Sequence, residues 1–418
     1  MIEVRAFQGY RYNPERISNY DEVITPPYDV ITDEERARMA AGSPANLVHA
    51  LLPIAEDGGD KYAVAGEVLE QWIADGTMLQ EETPSYYLLR QQFTDLEGQH
   101  QVRRAFFAAI KLPEEGEHYV LGHERTFSGH VDDRIKLTEA TKANLGAVFS
   151  LYNDENNVLA EFLGQMETRA PDGVAHTIDG VTQEFWRVDD GPKVNEFFQG
   201  KTLYIADGHH RFQTACTYRD AQRAANPDAG IQPYDYALMG FVSFDDPGLK
   251  IYPPHRVVAL PEKFEATAFV SELEKWFTVE EVGEGLAEKV ENAPGQCVMG
   301  IVTAGQPDRL LTLKEDLRTE FLGDDRGESW RDLDVAVLHR GIIANIMGIA
   351  EGTTHHYEKS LDGALKAGTV AGQISFILRA TKASQICACA EAGEPMPQKS
   401  TYFFPKLPSG VVIHRLCK

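Results

Sequence analysis

The sequence predicts an α+β fold. Helix-period and strand-period segments are both present, they do not follow a strict βαβα order, and no repeat of about 20 to 50 residues organises the chain. With 418 residues, 43% of them hydrophobic, there is apolar material for roughly two or three packed cores.

Taken in order, Thr32-Asp33-Glu34-Glu35 is a capping-type start for a helix that Gly42-Ser43-Pro44 stops near Ala41. Just upstream, Pro26-Pro27-Tyr28-Asp29 must be an ordered extended turn. A second helix spans Asp60 to Asp75, with Val64, Val68, Leu69 and Trp72 on one side. Tyr86 to Phe93 and Val102 to Ile110 are strands joined at Asp95-Leu96-Glu97-Gly98, which makes a hairpin. A helix is expected between the turn-rich stretches at Asn153 to Asn157 and Ala170 to Gly173, then strand character from Val174 to Val188. Thr202 to Ala206 is a short buried strand, Asp207-Gly208 a turn, and His209 to about Ala225 a helix. Tyr236 to Phe244 and Lys250 to Ala259 continue as strands, Glu262 to Trp276 and Asp332 to Gly348 as helices, and Ile374 to Leu378 as a strand before the Pro395 to Pro397 turn and a final segment from Lys399 to Arg415. The expected regions are an N-terminal one over 1–152, a central one over 153–260 that carries the Asp207 turn, and a C-terminal one over 261–418.

The 40 basic and 64 acidic residues leave a net charge of −24, which repels phosphate backbones unless a local basic cleft overrides it. The N-terminus has no basic-then-apolar signal pattern, and no run of about 18 apolar residues could span a membrane. A cytoplasmic protein without nucleic-acid or membrane partners is expected. The five cysteines are scattered and odd in number, which argues against a disulfide framework. Cys387 and Cys389, placed on a strand, would share one face as core thiols, and no second close pair completes a zinc site.

The segment Tyr204-Ile205-Ala206-Asp207-Gly208-His209-His210-Arg211 carries the most chemistry. An apolar strand delivers a glycine turn and four consecutive polar residues to a helix start, where backbone N–H groups favour an anion and Gly208 permits its close approach. Arg211 adds a planar fork suited to phosphate or carboxylate. The plainer alternative has Asp207 capping the helix and the histidines covering a core edge. Three further polar clusters sit in apolar surroundings: His123-Glu124-Arg125-Thr126 with Asp132-Asp133-Arg134, then Pro254-His255-Arg256, and Lys399-Ser400-Thr401. Together they supply cations (Arg125, Arg134, Arg256, Lys399) and acids (Glu124, Asp133, Asp207), the components needed to move a phosphoryl group. The nearest dinucleotide-type loop, Gly283-Glu284-Gly285, lacks its third glycine, and no glycine-lysine-serine phosphate loop exists.

In these segments the chain resembles a bacterial and archaeal family of unknown function, DUF1015. The resemblance runs in order through Ile24-Thr25-Pro26-Pro27-Tyr28-Asp29-Val30-Ile31, His123-Glu124-Arg125-Thr126, Asp133-Arg134, Asp207-Gly208-His209-His210-Arg211, Pro254-His255-Arg256, Leu333-Asp334-Val335 and Pro397-Gln398-Lys399-Ser400-Thr401-Tyr402-Phe403. Separately, Gly208-x-x-Arg211-x-x-x-Ala215 after a buried strand is similar to the phosphate-binding turn of the ParB and sulfiredoxin superfamily, which includes free serine kinases. That similarity implies a mixed α/β core of the ParB/sulfiredoxin type, elaborated at both ends. It also implies phosphoryl transfer between a nucleotide and a small alcohol, most directly the interconversion of L-serine and phosphoserine. Sulfiredoxin places its reactive cysteine where this chain has His209 and His210, so a sulfinic acid reductase is not implied.

Two functions follow. In the first, an enzyme uses Gly208, Arg211, Arg125, Arg134, His255, Arg256, Lys399 and Ser400 to hold phosphate or substrate. Asp207, Glu124, His209 and His210 serve the chemistry, and Mg²⁺ sits on the nucleotide. In the second, the same cleft is a non-catalytic sensor of a phosphorylated metabolite or nucleotide.

Neither function involves DNA, despite the ParB-like turn, because a duplex demands a run of phosphate-neutralising lysines and arginines. Titration with mixed-sequence duplex at low ionic strength is expected to show no binding. Micromolar affinity that weakens steeply with added salt would revive the partitioning-protein reading.

Overall fold

The computed structural model describes residues 1–125, 128–189, 193–350, 353 and 355–417. The chain divides into two compact units, Met1–Gly122 with Thr126–Leu249 and Pro405–Lys418, and His123–Arg125 with Lys250–Phe404. Both contain helices and sheet, so the α+β expectation holds.

Among the described residues of the first unit, nine strands form one mixed sheet. Its order is Val120–Leu121, Leu203–Asp207, Val148–Tyr152, Tyr236–Ser243, His100–Lys111, Tyr86–Thr94, Thr182–Val188 and Gly173–His176, with Val4–Arg5 also pairing to His100–Lys111. The boundary expected at 152/153 falls inside this sheet. Strands of the first two expected regions interleave in its pairing order. The hairpin read from the sequence is present, with Thr94 opposite His100 and Gly98 at φ +79° in the turn. Its inward face builds a core in which Phe106 stacks on Phe241 at 4.8 Å and packs edge-on to Phe162.

The Asp33–Gly42 helix starts with the expected reciprocal bonds between Thr32 and Glu35, and Asp60 caps the Lys61–Ala74 helix. The Ser128–Thr141 helix was not expected. Val131, Arg134, Leu137, Thr138 and Thr141 line its buried side, and the arginine and two threonines hide the apolar period. It packs between the Lys61–Ala74 and His209–Ala225 helices.

The last residues of the chain return to the first unit. Thr25 and Ser409 exchange backbone bonds of 3.1 and 2.8 Å, Tyr10 and Ile413 pair likewise, and His414–Arg415 pairs with Ala143–Asn144. Gly410, at φ +102°, makes the bend that lays this tail against Ile24.

The second unit holds an antiparallel sheet in the order Phe277–Val282, Asp308–Leu313, Val298–Thr303, Gln373–Leu378, His255–Ala259 and His356–Glu358. The helix expected over 332–348 is a short α-turn, Asp334–Ala336, continued by π-type winding over Val337–Ile346. The apolar face was readable there, whereas the hydrogen-bond step was not. Cys387 and Cys389 lie on the Ala383–Glu391 helix and not on a strand, so they point apart: Cys389 is buried and Cys387 half-buried. Among the described residues no helix is long and apolar enough to cross a membrane.

Burial holds His209, His255 and His414 neutral down to about pH 4, and His339 to about 3, against an ordinary value of 6.5. Unfolded chains take up these protons near pH 6.5, so the stability the rings contribute is complete above that pH and is lost as pH falls toward 4. The loss is about 1.4 kcal/mol per pH unit for each ring. Urea unfolding from pH 8 to 4.5 should therefore give a plateau above pH 7 and a steep decline below 6; a flat profile would contradict the buried neutral rings.

Candidate functional site

The Leu203–Asp207 strand runs antiparallel to Val148–Tyr152 and parallel to Val120–Leu121, and its register slips between Ile205 and Asp207. Such an irregularity re-aims the residues after it. Gly208 follows at φ +92° and opens the His209–Ala225 helix, with no side chain capping that helix. Two constraints make glycine necessary here. The backbone is left-handed, and a Cβ would lie 2.8 Å from Arg211 Nε, because the guanidinium folds back over the turn.

Asp207 does not cap the helix, contrary to the plainer sequence reading. One of its oxygens accepts from Arg211, an i,i+4 neighbour, and the other from Lys406, which the returning tail supplies. Burial alone would raise the Asp207 pKa, yet the two cations outweigh it and hold it at about 2. A carboxylate so clamped is a poor proton acceptor. Arg211 also donates to the Ala147 carbonyl, while its Nε is buried without a partner in the protein. His209 is buried and close enough to Asp207 for the acid to oppose the downward pull of burial on its pKa. Gly122 makes room for its ring, since a Cβ there would sit 2.9 Å from it. His210 is half-buried.

Arg134 reaches the same region from the Ser128–Thr141 helix. Its guanidinium lies over the Tyr28 ring, 4.3 Å from the centroid, and donates to Asp133 and to the Leu51 carbonyl. Asp133 also accepts from Lys61 and from the Tyr62 hydroxyl, at 2.9 and 2.8 Å. Those donors outweigh the burial that would raise its pKa and keep its carboxyl well below the usual range. Tyr28 feels Asp29, Arg211, Arg134 and Asp207 together. Sequence reasoning ranked neither Tyr28, Asp29 nor Lys406 among the site residues. The Pro26-Pro27 pair ahead of Tyr28 and the prolines flanking Lys406-Leu407 were the available signals, since prolines fix the chain's course.

The remaining expected residues belong to the second unit. Arg256 is fully buried and donates to His339 Nε2 at 2.9 Å and to the carbonyls of Pro254, Gln398 and Lys399. Its guanidinium also covers the Tyr357 ring at 4.5 Å. Every nitrogen of that guanidinium bonds within the protein, so Arg256 pins loops together, a structural role that the expectation of a phosphate ligand did not include. His255 is likewise structural, because its Nδ1 accepts from the Leu378 N–H at 3.1 Å in the sheet. The Ser400 hydroxyl is buried on the Pro397 carbonyl, whereas Lys399 contributes a carbonyl to Arg256 and is itself exposed. Buried His123 bonds Thr401 Oγ1 at 3.2 Å, Glu124 is half-buried and Arg125 exposed. Thr126 lies outside the described residues.

The first unit is thus an α+β body with a clamped acid and two arginines at a strand-to-helix turn. The chain belongs to the family described as protein of unknown function DUF1015, whose model matches residues 4–336. No curated protein matches it. Among solved structures it is similar to a free serine kinase in complex with AMP, at 14% identity and TM-score 0.33, over 68% of this chain and 83% of that one. A conserved hypothetical protein from Pyrococcus furiosus gives 13% and 0.31, over 70% of this chain and 90% of that one. SbnI with a C-terminal truncation, from Staphylococcus aureus, gives 12% and 0.33, over 70% and 83%.

Replacing Lys406 with Met strands a buried carboxylate beside one cation, a loss of about 3 kcal/mol. Adding Asp207→Asn should recover part of that loss, so urea unfolding of the single and double variants is expected to be strongly non-additive. Simple addition of the two losses would show that the pair is not coupled.

Proposed function

We propose that the first unit binds phosphorylated small molecules at the Gly208 turn. We further propose that the chain transfers a phosphoryl group between a nucleotide and a small alcohol, with L-serine and phosphoserine as the pair. The observation that carries this reading is the local charge. The largely buried Arg134, Arg211 and Lys406 gather there with the half-exposed Lys61 around Asp133 and Asp207, within a chain of net charge −24. Sheltered cations favour an anion, and a left-handed glycine turn at a helix start lets one approach the backbone. The choice of serine rests on the motif similarity alone.

The terminal phosphate of the nucleotide passes to the serine hydroxyl, whose proton leaves, giving phosphoserine and a nucleotide one phosphate shorter. Arg211 and Arg134 neutralise the charge of the transferred group. Asp207 and Asp133 are already held by cations, so we assign the hydroxyl proton to Asp29, which is exposed and follows Tyr28 in sequence. Among the described residues no three His, Cys, Asp or Glu side chains gather as a metal site. The residues present do not form a seat for a resident Mg²⁺, and the ion in this reading arrives on the phosphates of the nucleotide.

The test combines the purified full chain with L-serine, a panel of nucleoside di- and triphosphates and Mg²⁺, and follows phosphoserine by mass spectrometry. Phosphoserine formation, lowered at least tenfold by Arg211→Lys, is expected. Lysine keeps the charge opposite Asp207 and loses the planar fork. Phosphoserine binding without turnover would favour the sensor; neither binding nor turnover would overturn the reading.

A further inference from the structure

Within the first unit, the His100–Lys111 strand carries a fully buried arginine, Arg103, and among the described residues no carboxylate pairs with it. Its Nε, at 3.0 Å, and one terminal nitrogen both donate to Gln91 Oε1, and its guanidinium covers the Phe149 ring at 4.8 Å. Arg103 lies directly opposite Gln91 in the sheet, and Gln91 directly opposite Gln183. Burial lowers the Arg103 pKa to about 9, so the group stays charged at neutral pH.

A guanidinium can only donate, and that decides which end of the Gln91 amide faces it. The amide oxygen turns to Arg103, so the N–H₂ points the other way and donates to Gln183 Oε1 and to the Lys406 carbonyl, both at 2.9 Å. Gln183 is oriented in the same manner: its own N–H₂ donates to Thr177 Oγ1 at 3.1 Å, which leaves its oxygen for Gln91. Gln91 is fully buried as well, so water does not compete for these bonds. Lys406 is thereby held at both ends, its carbonyl by Gln91 and its ammonium by Asp207. The neighbouring Leu407 lies against Gly240 of the sheet. A lysine stem is flexible, so fixing its main chain is what keeps the ammonium on one carboxylate oxygen and leaves the other to Arg211.

We infer that Gln91, oriented by Arg103, is a positioning residue for the Gly208 turn: it fixes Lys406, and through Asp207 it keeps Arg211 folded over the glycine. Arg103 acts through Gln91 and touches no ligand. The consequence for anion binding rests on the proposed function, whereas the positioning can be read without a ligand.

Two variants of the full chain test it. Gln91→Glu keeps an acceptor on Arg103, now charged, and turns an oxygen toward the Lys406 carbonyl. Gln91→Met removes donor and acceptor without changing the charge. Melting temperature should separate the two: the first stays at or above the wild type because Arg103 gains a counter-charge, and the second falls because Arg103 is left unsatisfied. The Lys406 ammonium should not separate them. NMR of the lysine ammonium groups is expected to show an ordered, slowly exchanging Lys406 signal in the wild type, assigned by its absence from Lys406→Arg, and to lose it in both variants. Retention of that signal in Gln91→Glu overturns the inference, because an amide with a merely structural role would let order follow stability. If Gln91→Met does not fold, Gln91→Glu decides alone. By calorimetry, phosphoserine affinity should fall about fivefold in Gln91→Glu. Unchanged affinity beside a lost signal overturns the link to the turn. Loss of the signal with no phosphoserine bound even by the wild type would sustain the positioning of Lys406 and reject the phosphoryl reading.

Discussion

The arrangement of the first unit depends on one buried carboxylate held by two cations from different parts of the chain. Asp207 stands at the end of a strand, Arg211 one helical turn beyond it, and Lys406 on a tail separated from it by nearly two hundred residues. A lone carboxylate at that depth would take up a proton. With both cations in place it stays charged, and each cation is in turn tethered. The same contact orders the turn, fixes the guanidinium over Gly208 and anchors the returning tail, whose backbone then pairs with Thr25 and so positions Tyr28. Local chemistry and long-range topology are joined at one carboxylate.

Arg256 in the second unit shows the opposite use of a buried cation. It has carbonyls, a neutral imidazole and an aromatic face around it, and burial lowers its pKa to about 10. Carbonyl dipoles can satisfy a guanidinium geometrically without a counter-charge, and a residue so satisfied has most of its donors committed within the protein. Arg211 differs in keeping one buried nitrogen unbonded. The contrast separates an arginine that supports a fold from one that can recognise something.

Much of this was legible in the sequence. The Thr32 cap, the hairpin around Gly98 and the strand–glycine–helix passage through Asp207 are set by neighbours within a few residues, and local chemistry reads them directly. The Ser128–Thr141 helix escaped because its buried face carries Arg134 and two threonines, which read as surface. Lys406 escaped for another reason: its meaning lies in a partner far along the chain, and Lys399, nearer to an obvious cluster, attracted the assignment instead. For Arg256 and His255, polar residues at a strand start carry no mark in the sequence that separates the loop-pinning bonds they make from binding.

The net charge of −24 illustrates how composition and site can point in different directions. At physiological ionic strength the screening length is about 8 Å, so acidic side chains scattered over the surface act weakly on a ligand more than one such length away. Lys406 and Arg211 are nearly buried and work through a medium of lower dielectric, where mobile ions do not screen them. The acidic surface therefore governs what the chain repels at long range, extended polyanions above all. A few sheltered cations govern what it can hold at contact. A small anion at contact would meet these sheltered cations across a weak, screened repulsion, whereas an extended polyanion would feel the acidic surface over many screening lengths. Net charge and local charge thus act over different length scales.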